Sequence, residues 1–594
     1  MRSRVGISPL DERGEVILKK LLVYLKDYKK ESILGPLFKL LEVVFELMVP
    51  LVMASMIDQG IAAGDKGHII KMFMVLVTLG AIGLLSSITA QFFAAKAATG
   101  FAKQLKQALF RHIQSLSFSE LDEIGTSSLI TRMTSDMNQV QSGVNLTLRL
   151  LLRSPFVVVG AMVMAFSIDV KAAWIFVVTI PVLSMVIFGI MIWCIPRYRM
   201  VQERLDRVLS VTRENLSGAR VLRAFCKETD EINEFKLRNE DLTSIQNHVG
   251  RISALMNPVT YTIINVAIAI LIWKGAIEVN AGLLTQGAVV ALYNYMSQIL
   301  VELIKLANLI LNMTKCVACG NRIQSIFEIQ SSMEEKKTPV ENIDSEYMVE
   351  FEHVSLRYKN GGEDALEDIH FSVKPGELVG IIGGTGSGKS SLVHLLPRYY
   401  DATEGQVRIG GIDVKEYPFV QLRSKVAVVL QKAVLFHGTI RENMQWGKKN
   451  ATDEEIYKAL TIALAREVVD KKEGKLDYII EQNGKNLSGG QKQRLTIARA
   501  LLTDADVLIL DDSSSALDFA TDAALRKALK EMEKNTTVFI VSQRTSSIQH
   551  ADRIVVLDDG KMAGVGRHEE LLEWCEVYQE IYHSQFRKEV KVDA

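Results

Sequence analysis

Glu377-Leu-Val-Gly-Ile-Ile-Gly-Gly-Thr-Gly-Ser-Gly-Lys-Ser-Ser-Leu-Val-His-Leu-Leu396 decides how the second half of the chain folds. An apolar run, a glycine-rich turn and a second apolar run predict a strand, a loop and a helix. Gly383 to Ser390 fits GxxxxGK[ST] between the two elements that the motif requires. In such a loop the backbone N–H groups of Gly383, Gly384, Thr385, Gly386, Ser387 and Gly388 close on phosphate oxygens. The helix N-terminus adds the positive end of its dipole. Lys389 reaches the β and γ phosphates, Ser390 binds magnesium, and Ser391 completes the nucleotide-binding set. ATP and Mg2+ are the expected cofactors.

A matching strand lies downstream in Leu508-Ile-Leu-Asp-Asp-Ser-Ser-Ser-Ala-Leu-Asp518. Val507 to Leu510 are apolar and run straight into two aspartates. Asp511, at the end of a buried strand, is the residue expected to hold the Mg2+ shell. The second aspartate, Asp512, has no obvious counterpart in that role.

The chain has 594 residues, more than one domain holds. Lys plus Arg equals Asp plus Glu at 69 each, so charge points to no nucleic-acid partner. Hydrophobic residues make up 48%, high for a soluble chain. The five cysteines are dispersed and odd in number, which argues against a disulfide framework. Cys316 and Cys319 have CxxC spacing, but no second pair completes a zinc site, and they read as two small residues on a helix face. The opening segment is charged and carries no small-residue cleavage site, so no signal peptide is expected.

The apolar excess lies in the first half. From about Ile33 to Gly320, six runs recur, each near the length of a bilayer-spanning helix. Basic residues crowd the N-terminal segment, at Arg2, Arg4, Arg13, Lys19, Lys20, Lys26, Lys29 and Lys30. The loops around residues 58–68, 167–171 and 275–286 hold few, so both termini are expected in the cytoplasm. The inside connections, about Lys96 to Val140 and Pro196 to Arg251, are long, charged and helical in pattern. Val16 to Tyr28 reads as an interfacial helix. Glu42 and Glu46 share one face of the first span, Arg149 and Arg153 have the same spacing early in the third, and Glu302 and Lys305 lie in the sixth. Two readings of Glu42 and Glu46 stand: structural pairing or a water-filled cavity on one side, affinity for cationic cargo on the other.

After Glu328 the text changes: residues 329–347 read as a polar linker, and short β-type runs then alternate with helical ones, an α/β pattern. Leu487-Ser-Gly-Gly-Gln491, followed by a helical run, resembles the signature motif of ATP-binding cassette (ABC) proteins. The chain as a whole resembles half-transporters of the ABC exporter type: a membrane domain over 1–328 and a P-loop nucleotide-binding domain over 348–594. That resemblance implies several roles. Ser488, Gly489, Gly490 and Gln491 cap the ATP of a partner domain, Tyr358 stacks on adenine, and Gln431 senses magnesium as a metal-site residue beside Ser390 and Asp511. Ser515 to Asp518 resembles the loop that crosses the dimer interface. Ser117 to Asp136 and Glu214 to Phe225 resemble segments carrying coupling helices, the second of which reaches the partner's cassette.

Two positions depart from the family pattern. Active cassettes carry glutamate where this chain has Asp512, one methylene shorter, and a misplacement of about 1 Å can cost about a hundredfold in rate. A histidine normally contacts the γ-phosphate where Gln543 stands, and glutamine carries no positive charge to stabilise phosphate. With every binding motif intact, the chain resembles the degenerate-site subunit of a heterodimeric bacterial multidrug exporter in the cell membrane. Its expected partners are a second half-transporter with intact Glu and His, membrane lipid and a small amphipathic substrate. The other readings are a slow homodimeric exporter of lipid or peptide and a non-transporting, ATP-gated membrane sensor.

Overall fold

The computed structural model describes residues 21–585 except 342, 360, 514, 533 and 534. Contacts divide the chain into two compact units. The first holds residues 21–114 and 127–329, the second residues 115–126 and 330–585, in their described parts.

Among the described residues six helical spans are long and apolar enough to cross a membrane, and all but the end residues Ser115 and Thr126 lie in the first unit: Leu22–Ile61, Lys66–Ser115, Thr126–Ile168, Val170–Ser217, Glu228–Asn280 and Gln286–Phe327. The helix Lys66–Ser115 has 50 residues, about 75 Å at the α-helical rise, against a hydrocarbon core of about 30 Å. The surplus lies in the charged connections, where Lys66–Ser115, Val170–Ser217 and Glu228–Ala254 continue as helix. The expected interfacial helix is a 3-10 helix over Leu22–Tyr28; its residues 16–20, with the basic cluster before them, lie outside the described residues.

Small residues set the closest approaches between spans, as expected where lipid offers no hydrophobic drive between helices. A side chain at Gly287 would meet the Ala54 carbonyl at 2.3 Å, and the Gly287 N–H donates to Asp58 at 2.7 Å. Tyr295, fully buried, donates its hydroxyl to the Leu47 carbonyl. Cys316 and Cys319 lie in the helix Gln286–Phe327, both buried and reduced.

The third span is not one even helix. Its ladder breaks at Leu151–Leu152 between the helices Met137–Leu150 and Arg153–Ile168. Pro155 explains this, since it lacks the N–H that Leu151 would accept and its ring crowds that carbonyl. Arg149 and Arg153 therefore sit on opposite sides of an interruption.

Among the described residues the second unit holds twelve strands: β1 Val349–Leu356, β2 Leu366–Val373, β3 Leu378–Gly383, β4 Glu404–Ile409, β5 Ile412–Asp413, β6 Val426–Val429, β7 Gly438–Thr439, β8 Ile479–Ile480, β9 Val507–Asp511, β10 Thr537–Val541, β11 Arg553–Asp558 and β12 Lys561–Gly566. A six-stranded sheet runs β12-β11-β3-β10-β9-β6, parallel except at β12. β9 and β10 are buried at every residue, as strands covered on both faces must be. A four-stranded antiparallel sheet, β2-β1-β4-β5, shares a core with it through Val379, Ile381, Val507 and Phe539. The short helix Phe118–Ile124 belongs to this unit: Phe118 packs against Tyr399 at 4.6 Å between ring centroids.

Candidate nucleotide site

β3, β10 and β9 lie side by side and parallel, so their C-terminal ends open on one edge. Gly383 ends β3 and Asp511 ends β9. The loop between Gly383 and Lys389 turns through Gly388 at φ +89, where a side chain would also meet the Ala365 carbonyl at 2.5 Å. Glycine is required there on both counts.

Lys389 is buried and folds onto its own loop, donating to the Gly383 carbonyl at 3.0 Å and to Ser387 Oγ at 3.3 Å. Burial pulls its ammonium below the ordinary lysine range, against the opposing charges of Asp512 and Asp511. Ser390 Oγ donates to Asp511 Oδ1 at 2.8 Å. With the Gln431 side chain on the same cleft, these hard oxygen donors fit Mg2+, which prefers oxygen and shares its shell with substrate phosphates.

Asp512 follows in a left-handed conformation at φ +42. Its N–H donates to the Val541 carbonyl at 3.1 Å, and Ser515 Oγ donates to its carbonyl at 2.8 Å. That turn presents the carboxylate to Gln431, whose Nε2 donates to Asp512 Oδ2 at 3.2 Å. Burial raises the Asp512 pKa, Gln431 holds it down in part, and the neighbouring Asp511 raises it further.

A cleft of about 350 Å³ gathers Tyr358, Thr385, Gly386, Gly388, Lys389, Ser390, Ser391, Gln431, Asp512 and Gln543. Tyr358 donates its hydroxyl to Ser391 Oγ at 2.9 Å. Gly383, Gly384 and Ser387 complete the loop behind this lining. Ser488, Gly489, Gly490 and Gln491 are not part of it. They start the helix Gly489–Leu501, with Ser488 as N-cap accepting from the Gln491 N–H and the Gln491 side chain accepting from the Ser488 N–H. A capped helix start with two glycines presents open N–H groups and suits an anion from elsewhere.

Three contributors escaped the sequence reading. Gln585 donates to the Gln543 carbonyl at 2.7 Å and accepts from Thr545, bracing the loop after β10 from 42 residues away. His394 Nε2 lies 3.4 Å from Asp511 Oδ2. Tyr400 meets Tyr358 edge-on at 5.1 Å. Only the position of His394, one turn beyond Ser390 on an apolar helix, offered a signal.

In the first unit Glu42, Glu46, Arg153, Glu302 and Lys305 are paired, whereas Arg149 Nε is buried with no hydrogen-bond partner among the described residues. Lys39 donates to Glu42 at 2.6 Å. Arg153 donates to Glu46 at 2.8 Å and also pairs with Glu302. Glu302, buried, further accepts from Ser154 at 2.9 Å and Lys305 at 2.8 Å.

The family models for the ABC transporter transmembrane region and for the ABC transporter match residues 32–303 and 366–515. The chain is 35% identical over 572 residues to the uncharacterized ABC transporter ATP-binding protein YfiB of Bacillus subtilis, covering 96% of this chain and 99% of that one. It is 33% identical over 485 residues to an ATP-dependent lipid A-core flippase of Desulfotalea psychrophila, 81% and 84% of the two chains. Its fold is similar to that of a bacterial Atm1-family ABC exporter with ATP bound, at a TM-score of 0.77 and 20% identity, over 95% and 99% of the chains.

Proposed function

This chain belongs to the ABC transporter family as an exporter-type half-transporter, a multi-pass membrane protein with an ATP-binding region, and from that premise we propose that it is the weakly hydrolysing subunit of a heterodimeric exporter. In this reading residues 1–328 form the transport domain, 329–347 the linker and 348–594 the cassette, with both termini in the cytoplasm. Bound Mg2+ would neutralise charge on the β and γ phosphates, held through Ser390, Asp511 and Gln431.

The observation that carries the reading is the pair Asp512 and Gln543 on one cleft with an otherwise complete binding set. Asp512 is short for the task of orienting water, and its carboxylate is already engaged by Gln431. Gln543 brings no charge to the γ-phosphate. ATP is then held and cleaved slowly, while Ser488 to Gln491 completes the partner's site. ATP binding closes the cassette pair and opens the cavity outward, and hydrolysis at the partner's site resets it. Cargo is an amphipathic or hydrophobic compound. The pairing of Glu42 with Lys39 and of Glu46 with Arg153 favours a structural role for both carboxylates over a site for cations. The similarity to a lipid A-core flippase favours lipid as the second reading of cargo.

ATPase rates of the purified chain, alone and co-expressed with a half-transporter bearing the glutamate and histidine, test this. The chain alone is expected to be nearly inactive and the pair active. Removing the partner's glutamate abolishes turnover, and Asp512→Glu with Gln543→His restores hydrolysis to this chain. A rate of about 1 s⁻¹ or more for the chain alone, within the usual enzyme range, overturns the asymmetric reading in favour of a homodimer.

A further inference from the structure

We propose that His353, Asp368 and His370, on the outer ribbon of β1 and β2, form a surface site for a divalent transition metal such as Zn2+. The nucleotide chemistry uses none of the three. One ligand atom from each lies within 4.8 Å of the others, close enough for a single ion to draw them together at bond lengths of about 2.0–2.2 Å.

The backbone is bent to bring them to one side. Asp368 and His370 are two apart on β2 and so share a face. His353 joins them through irregular pairing in β1, where the register shifts between Phe351 and Val354. Two residues of the set are left-handed, His353 at φ +47 and Asp368 at φ +50, a conformation that is uncommon outside glycine. The distortion is braced on three sides. Ser355 Oγ accepts from the Asp368 N–H at 3.1 Å. Gly405 lets the His353 carbonyl approach to 2.1 Å from where its side chain would begin, a contact that any other residue blocks. His353 Nδ1 lies 2.6 Å from Asp368 Oδ1, and the two imidazole rings lie 5.5 Å apart at 29°.

Two imidazoles and one carboxylate suit Zn2+, Ni2+ or Cu2+ better than Mg2+ or Ca2+. All three side chains are exposed, so water completes the shell. Bound metal would clasp β1 to β2 at the point where their pairing is irregular.

The test uses the full chain in detergent, its affinity tag removed, with saturating Mg2+ to occupy the nucleotide site and Cys226→Ser to remove the exposed thiol. Zn2+ is titrated calorimetrically, and Cu2+ is added separately for electron paramagnetic resonance. One Zn2+ per chain is expected, with nitrogen couplings on the Cu2+ signal. His353→Asn keeps a residue that tolerates the left-handed backbone, and His370→Gln changes an ordinary strand position. Each is expected to weaken Zn2+ binding at least about tenfold and to leave ATP binding unchanged. An isotherm unaltered in His370→Gln, or no Zn2+ uptake above that of a chain carrying both His353→Asn and His370→Gln, overturns the proposal. If His353→Asn fails to fold, His370→Gln alone decides.

Discussion

The Tyr400 hydroxyl donates to Asp122 Oδ2 at 2.6 Å, tying the residue that meets Tyr358 edge-on to the helix Phe118–Ile124. Lys359, next to Tyr358, pairs with Glu120 of the same helix at 2.6 Å. The aromatic expected to receive adenine is thus flanked by two polar links to one short helix. Asp122→Ala removes the acceptor of the Tyr400 hydroxyl, a loss of about 0.5–1.5 kcal/mol because Asp122 is exposed and water can take its place. The expected outcome is a lower melting temperature, with Tyr400→Phe in the same background adding little further loss. A double-mutant cycle by calorimetry checks it, and additive losses would sink the coupling.

Glu120 gives the helix a pH response. Burial raises its pKa, but the hydrogen bonds from Lys359, Ser117 and Ser332 outweigh burial and bring it to about 2. The folded value lies below the unfolded one, so the contribution is fully present above the ordinary glutamate range. It is lost as pH falls from about 5 towards 2. Glu120→Gln should flatten the acid limb of the stability curve. Amide exchange over residues 118–124 at pH 3 to 7 is the measurement, and an identical pH profile in the variant would contradict the assignment.

Lys389→Ala removes the buried ammonium at the phosphate loop and should weaken ATP binding at least about tenfold, with little effect on the melting temperature of the ATP-free protein. Asp511→Asn should instead remove the Mg2+ dependence of binding while a weaker, metal-independent affinity remains. Fluorescent-nucleotide titrations with and without Mg2+ separate the two. Equal losses in both variants would mean that the lysine and the aspartate do not divide the work.

What could be read from the sequence was local. The phosphate loop, the strand ending at Asp511 and the start of the signature helix are each contiguous, and each needs only its neighbours to take shape. Asp512 and Gln543 could be placed because they follow two such strands. What could not be read depends on how elements rotate against one another. Nothing in the text around Gln585 says that it reaches the Gln543 carbonyl, and nothing around Phe118 says that it meets Tyr399. Arg149 and Arg153 look equivalent by spacing, yet Pro155 breaks the ladder between them, and only Arg153 meets carboxylates from two other spans.

That last contact sets the strongest expectation for stability. Arg153 joins the first span at Glu46 to the sixth at Glu302, and both Arg153 and Glu302 are buried. Replacing one partner of such a pair leaves an uncompensated charge and costs about 3–5 kcal/mol, whereas replacing the whole set by apolar residues of similar volume is often neutral. Arg153→Ala should therefore give poor yield and a large fall in melting temperature. Arg153→Met combined with Glu302→Gln and Glu46→Gln should recover much of it, because no buried charge is then stranded: Lys305, which loses Glu302 as its partner, is 42% exposed. If the triple variant is no better than Arg153→Ala, the network matters for its geometry rather than for charge neutrality. If Arg153→Ala is itself silent, Lys305, 2.8 Å from Glu302, suffices as the counter-charge, and Arg153→Ala combined with Lys305→Ala would then be the destabilising change.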